Sequence, residues 1–428
     1  DPDRGVRRFD YNLDGLVRLS PGPEGIVNRY DYDPLGRLVT VDELNDNVVD
    51  ARIYYDGAHP GAPDALAANS IGQQSGSEDA ESASATFRDA NGRPQLVWRN
   101  VGGSIFTVRP EWDAAGRLIE WELVSDQGLY HADRYAYGDD GVVEVSSRAG
   151  PEEPWTIALG DVEYDADGNV LAATYGNGAE LQRSYEYGRL DVLGLTAPNG
   201  TPLVGLDYYR EPAIDLSALM GQVTRIRDRL DPAATLSLDY DDKYRLSQVA
   251  SAQTGTIDYV MTHDGAMLQR GDWDIDYAPV GAATSHAPIA AENVSTGELR
   301  TFAYNASGYV LSDGERTFDY DPHGQLIRIA VEGAEVESFF DANGLLVRRI
   351  RREMDPEDYE AVTLEESTVY PFEGVAVTTN LLTGEQTANV SVFGPLGLLA
   401  NVEHPNVGAD PEEGEPADAV TTYMLNDH

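Results

Sequence analysis

Apolar and polar residues alternate along short stretches of this chain, and each stretch stops at a tetrapeptide that ends in glycine. In Tyr30-Asp31-Tyr32 the two rings stand two residues apart, so they project from one face of a strand while the aspartate projects from the other. Asp33-Pro34-Leu35-Gly36 follows, with Asp, Pro and Gly where a type I turn favours them, and Arg37-Leu38-Val39 begins a return strand. The phrase recurs at Glu111–Ile119, Val162–Leu171 and Phe318–Ile327. Its turn recurs at Asn12–Gly15, Asp89–Gly92, Asp113–Gly116, Asp165–Gly168, Asn305–Gly308, Asp321–Gly324 and Asp341–Gly344, with weaker copies at Gly138–Gly141 and Thr262–Gly265.

Self-similarity of this kind means one supersecondary unit used many times, here a β-hairpin. The pattern predicts an all-β fold: a long antiparallel hairpin array, a β-solenoid, over residues 1–428. Its structural positions are the turn residues Asp33, Gly36, Asp113, Gly116, Asp165, Gly168, Asp321, Gly324, Asp341 and Gly344. The repeat aromatics Tyr30, Tyr32, Trp112, Tyr164, Phe318 and Tyr320 are expected on one face. Stretches 56–85, 278–298, 353–367 and 404–419, rich in small or acidic residues, interrupt the rhythm and read as loop insertions. Asp215–Leu230 has helical propensity, but Gly221-Gln222-Val223 reads as a post-turn strand, and strand is expected there.

The phrase closely resembles the YD repeat of Rhs proteins, of the BC components of bacterial Tc toxins and of teneurins. The resemblance spans Phe9–His428 and rests on many degenerate copies. It implies a β-sheet that spirals into a hollow extracellular or cell-surface shell, with toxin encapsulation or scaffolding as its work. The tail, Val392–Val402 and Thr421–His428, resembles the stretch before the C-terminal Rhs core, so the chain reads as a fragment with that core absent. Members that carry a toxin use the core as a plug and an aspartyl autoprotease. Here Gly394-Pro395-Leu396-Gly397 has glycine where that cleavage stretch has aspartate, and it reads as an ordinary turn. Partners implied are the rest of the same polypeptide, as core or cargo, or further copies. Cell-surface adhesion, carbohydrate binding and a self-associating filament are the alternatives.

Composition narrows the chemistry. A formal charge of −44 makes nucleic acid and anionic membranes poor partners, since both need a basic footprint. Of the 30 basic residues only Lys243 is lysine, and there is no cysteine, so disulfides and thiolate metal sites are excluded. No apolar run approaches the roughly 20 residues of a membrane span. Tyrosine outnumbers phenylalanine 24 to 9, so many ring hydroxyls need a hydrogen-bond partner.

No catalytic constellation emerges, and an inert chain without cofactor or metal is expected. Ser285-His286 lies in a Gly/Ala stretch with no third group to orient it. His131, His263 and His323 fall in or near turns and read as solvated residues. Asp165-Ala166-Asp167-Gly168-Asn169 opens like a calcium loop, but the twelfth position is Gly176 rather than glutamate. Sequons place possible glycosylation at Asn199, Asn293, Asn305 and Asn389.

Overall fold

In the computed structural model, residues 8–21, 27–44, 49–57, 69–210, 221–279, 286–358, 361–405, 407 and 419–424 are described, and hairpin follows hairpin throughout. Each strand pairs antiparallel with its neighbours in sequence. The result is one open sheet of 25 strands, from Asp10–Tyr11 to Leu299–Thr301, and a second of 11 strands, from Ala303–Tyr304 to Val420–Tyr423. They part at Phe302, whose N–H donates to the Ile289 carbonyl at 2.9 Å. Neither sheet closes into a barrel. Among the described residues the helical content is a single 3-10 turn, Pro232–Ala234, capped by the Asp231 side chain.

The second sheet lies over the first. One apolar cluster joins Val145, Leu159, Leu181 and Leu195 to Val392, Leu399 and Val402, and another joins Val101, Phe106, Leu123 and Leu129 to Val347, Val375, Ala388 and Val390. Fully burying one such side chain stabilises by about 1.5–3 kcal/mol, so these clusters are the principal cohesion between the sheets. Cross-strand partners show that one face is covered: Val145 stands opposite Leu159, Leu181 opposite Leu195 and Leu195 opposite Val204.

Hydrogen bonds register this second pass against the first. Asn28 Nδ2 donates to the Pro322 carbonyl, 294 residues on; Gln74 Nε2 reaches Asn343 Oδ1 after 269; Arg348 reaches Glu81 across 267; and Tyr423 Oη reaches the Ile157 carbonyl across 266. The chain therefore comes back over itself, its contacts joining residues 242 to 294 positions apart.

Three expectations change. Stretch 56–85 contains strands Gln74–Asp79 and, from Ser82, Ser82–Arg88. Its small residues read as loop by composition, yet Ser75 and Ser77 are buried strand residues. Their size lets the later turn Asp341–Gly344 dock there, with Asn343 Nδ2 donating to Ser77 Oγ at 3.3 Å and Ala342 N–H to Asp79 Oδ2 at 2.7 Å. Strands also occupy Pro288–Asn293, Val362–Val369 and the end of Gly397–Pro405, so the other insertions are shorter than expected; 58–68, 280–285, 359–360, 406 and 408–418 lie outside the described residues. Finally, Gly221 adopts φ +68° and precedes a strand that starts only at Arg225, the residues 215–220 being outside the description.

Strands Arg225–Asp228 through Leu299–Thr301 differ from the strands before them: no described residue between 225 and 301 belongs to the buried core. The same face runs on without a break through the pairs Tyr208–Ile226, Ile226–Leu236, Leu238–Val249, Val249–Ile257 and Ile275–Ala291, but here its side chains stay half-buried. A single layer has fewer apolar contacts holding its ladder closed. Native-state hydrogen exchange should accordingly show lower protection for residues 225–301 than for 94–208; equal protection would mean that this face is covered in solution.

Candidate functional site

The repeat turn is the one constellation this chain builds many times. At Asp33 the backbone N–H donates to the Arg37 carbonyl at 2.9 Å, and Gly36 N–H donates to the Asp33 carbonyl at 2.9 Å. This is a type I turn whose fourth residue takes a left-handed conformation, φ +79° at Gly36, and bulges the return strand so that Tyr32 stands opposite Leu38. The carboxylate then organises the loop: Oδ1 accepts from Leu35 N–H and Arg37 N–H, each at 2.9 Å, and Oδ2 accepts from Arg37 Nε at 2.7 Å. Asp89 with Arg93, Asp113 with Arg117 and Asp241 with Arg245 repeat the Nε–Oδ2 bond at 2.7 Å. Asp165 substitutes Asn169, bonded at 2.9 Å, while Asp321 and Asp341 keep the backbone bonds.

These contacts favour the ionised carboxylate. Asp33, Asp113 and Asp241 are held below the usual aspartate range first by the backbone N–H of the arginine four residues on, Asp89 first by the Arg93 side chain, and Asp165 first by the Asn169 side chain.

The repeat aromatics tie each hairpin to the one before it. Tyr32 Oη donates to the Val17 carbonyl at 2.8 Å, Trp112 Nε1 to Pro94 at 2.8 Å, Tyr137 Oη to Leu118 at 2.8 Å and Tyr164 Oη to Val142 at 2.7 Å. Tyr240, Tyr277 and Tyr304 do the same with Val223, Met267 and Pro288. Arginines of the preceding turn lie over several of these rings: Arg37 Cζ is 4.4 Å from the Tyr55 centroid and Arg117 Cζ 4.4 Å from that of Tyr137. Burial raises the pKa of Tyr32, Tyr137 and Tyr164, which keeps each hydroxyl a donor. Tyr30 shares a strand face with Tyr32 and hydrogen-bonds Ser20 Oγ at 3.1 Å; Phe318 and Tyr320 share a face in the same way, Arg316 lying over Phe318 and Tyr309 against Tyr320.

Some turns escape a Gly-based search. At Asp241–Arg245 the fourth position is Tyr244, with φ +62°, yet the hydrogen bonds are the same. The signal that finds it is Asp followed four residues later by Arg. Thr262 replaces the aspartate with its hydroxyl, which accepts from Ala266 N–H at 2.9 Å.

Of the sequons, Asn199 and Asn389 are exposed and Asn293 and Asn305 half-buried; Asn199, Asn293 and Asn305 each spend their Oδ1 on turn N–H groups. His131 is not a solvated turn residue as expected; it lies fully buried beside Asp133, because its strand faces the second sheet. Clefts open on the surface among the described residues. One, of about 330 Å³, is lined by Trp121, Phe372, Glu373, Val375, Ser391 and Phe393, and another, of about 320 Å³, by Arg270, Trp273, Ile275, Ala291 and Arg300. Among the described residues no three His, Asp or Glu side chains are arranged to hold a metal, and no helix is long and apolar enough to cross a membrane.

No family profile and no curated protein matches the chain. Solved structures do. The whole chain superposes on 23% of a TcdB2-TccC3 chain lacking its hypervariable C-terminal region, with a TM-score of 0.74 and 15% identity. It also matches, over 99% of its length, 23% of the chain in a TcdB2-TccC3-Cdc42 structure (TM-score 0.72, 14% identity) and 22% of a chain of the Tc holotoxin pore of Photorhabdus luminescens (TM-score 0.70, 14% identity). The likeness is one of fold, and this chain spans less than a quarter of each of those chains.

Two outcomes follow from the turn. Gly324, φ +85°, has the Tyr309 hydroxyl where a Cβ would go, whereas Gly116, φ +84°, has open space. Gly116→Val should cost about 1–3 kcal/mol from backbone strain alone and Gly324→Val more, read as loss of melting temperature; equal losses would discount the Tyr309 contact. Asp113→Asn should keep the turn, as Asn12 and Asn305 do, but lose the ion pair to Arg117. Because the folded aspartate titrates below its unfolded value of about 3.9, its contribution is complete above that pH and disappears as pH falls through the folded value. The variant's melting temperature should therefore fall less steeply below about pH 4 than that of the parent.

Proposed function

We propose that this chain is a wall segment: a non-catalytic, extracellular hairpin scaffold that forms part of a larger shell enclosing a toxin-like cargo or building a surface structure. The observation that carries the reading is the seam. A sheet that returns over itself, bonded turn to strand from Asn28–Pro322 to Ile157–Tyr423, suits a wall that encloses space. Fold likeness to chains described as TcdB2-TccC3 and as a Tc holotoxin pore supports this, and multi-component assemblies of that kind suggest that its partners are other parts of its own polypeptide or further copies. The repeated constellation also supports it, since carboxylate, guanidinium and ring are satisfied by one another and by backbone.

The surface-binding alternative draws on the cleft at Trp273, where an indole flanked by Arg270 and Arg300 could meet a sugar face or an anionic ligand. A glycan array distinguishes the two. We expect no glycan to be retained; retention abolished by Trp273→Ala would favour adhesion. Electron microscopy of the purified chain should show a curved wall rather than a filled globule, and a solid particle would refute the enclosing role.

A further inference from the structure

A polar island sits inside the otherwise apolar seam. His131 and Asp133 stand two residues apart on strand Tyr130–Tyr137, facing the second sheet, and both are 0% exposed. His404, 7% exposed, comes from strand Gly397–Pro405 of that sheet. The imidazoles meet edge to face with centroids 5.5 Å apart, and the Trp121 ring lies 5.6 Å from His131. His131 Nε2 and Asp133 Oδ1 share a hydrogen bond of 2.9 Å, but His131 Nδ1, Asp133 Oδ2 and His404 Nε2 have no partner. Three unpaired polar atoms in one buried place call for an explanation.

The surroundings offer little to a charge. Leu123 stands opposite His131, Ser147 opposite Asp133 and Ala388 opposite His404. Tyr135 and Tyr137 are the other titratable groups on this face of strand Tyr130–Tyr137. By strand alternation Glu120, Glu122, Arg134, Glu144, Arg148 and Glu403 belong to the opposite faces of their strands, and strands Val375–Asn380, Gln386–Gly394 and Val420–Tyr423 carry no charged residue.

We propose that this island is an acid-operated latch: a proton taken up by His404 separates the C-terminal strands from the wall they cover. The neutral form of His404 packs readily in an apolar seam; its imidazolium would face a second imidazole there with little hydration, and the one carboxylate of the island, Asp133, already shares Oδ1 with His131. Burial, and then the neighbouring His131, hold His404 down to about 4. The folded value lies below the ordinary value of about 6.5, so the closed seam is fully favoured above that pH and loses favour as pH falls toward 4. Between pH 7 and 5 the opening equilibrium should rise roughly 20-fold. This window lies above the one in which the turn aspartates titrate, so the seam should open before the hairpins do.

Hydrogen exchange of the whole chain at pH 7 and pH 5, corrected for intrinsic rates, tests the latch. Peptides covering 118–148 and 386–405 should lose protection at pH 5, while strands Trp273–Tyr277 and Pro288–Asn293 should not. In His404→Phe, which keeps a ring but cannot titrate, the seam should be indifferent to pH. Equal protection at both pH values, an equal loss in His404→Phe, or a loss shared by the control strands would each overturn the proposal. Should His404→Phe not fold, the imidazole proton resonances of the unaltered protein decide: a His404 midpoint near 6.5 in the closed seam refutes the latch, and a midpoint well below it that coincides with seam opening supports it.

Discussion

Everything in this hairpin array depends on a donor at the end of one strand meeting a carbonyl of the hairpin before it. A lone two-stranded hairpin is marginal in water, and a long row of hairpins gains stability only if each is locked to its neighbour. The hydroxyls of Tyr32, Tyr137 and Tyr164 and the indole of Trp112 provide that lock at 2.7–2.8 Å, at the bulge where the strand ladder itself is irregular. A phenylalanine there would bury the same ring without the bond. This accounts for the excess of tyrosine over phenylalanine.

The arginine content has a similar local cause. Arg37 uses Nε and Nη2 on a single oxygen of Asp33, at 2.7 and 2.6 Å, while its two Nη groups reach Asp56 at 3.0 and 2.6 Å, and its plane covers Tyr55. A lysine ammonium is a point charge and cannot bridge two carboxylates while stacking flat on a ring. One residue therefore closes its own turn, holds the next loop and roofs the next aromatic. The near absence of lysine thus follows from the repeat.

The hairpins were legible in the sequence because their determinants are local: an aspartate and a glycine three residues apart fix a turn whatever lies around it. Where the glycine is replaced, as at Tyr244, only the Asp241–Arg245 spacing remains to betray the turn. The seam was not legible. Its contacts join residues 242 to 294 positions apart, and no periodicity announces that Ser75 and Ser77 will be covered by a later turn or that Arg99 will pair with Asp341. The same blindness hid His131. Its neighbours in sequence suggest a turn, and only the arrival of His404 from the far end of the chain makes it an interior residue.

Charge follows the architecture rather than opposing it. In the single-layered stretch, carboxylates and rings alternate so that Asp239, Asp258, Asp274, Asp276 and Glu292 occupy one face while Leu238, Ile257, Tyr259, Trp273 and Ile275 occupy the other. A sheet so divided repels its like on one side and offers apolar surface on the other. The excess of −44 is therefore no obstacle to stacking layers on the apolar face, where the covered part of the wall already holds Val392, Leu399 and Val402. It opposes association through the acidic face, which biases any further layer toward the side the second sheet has already chosen.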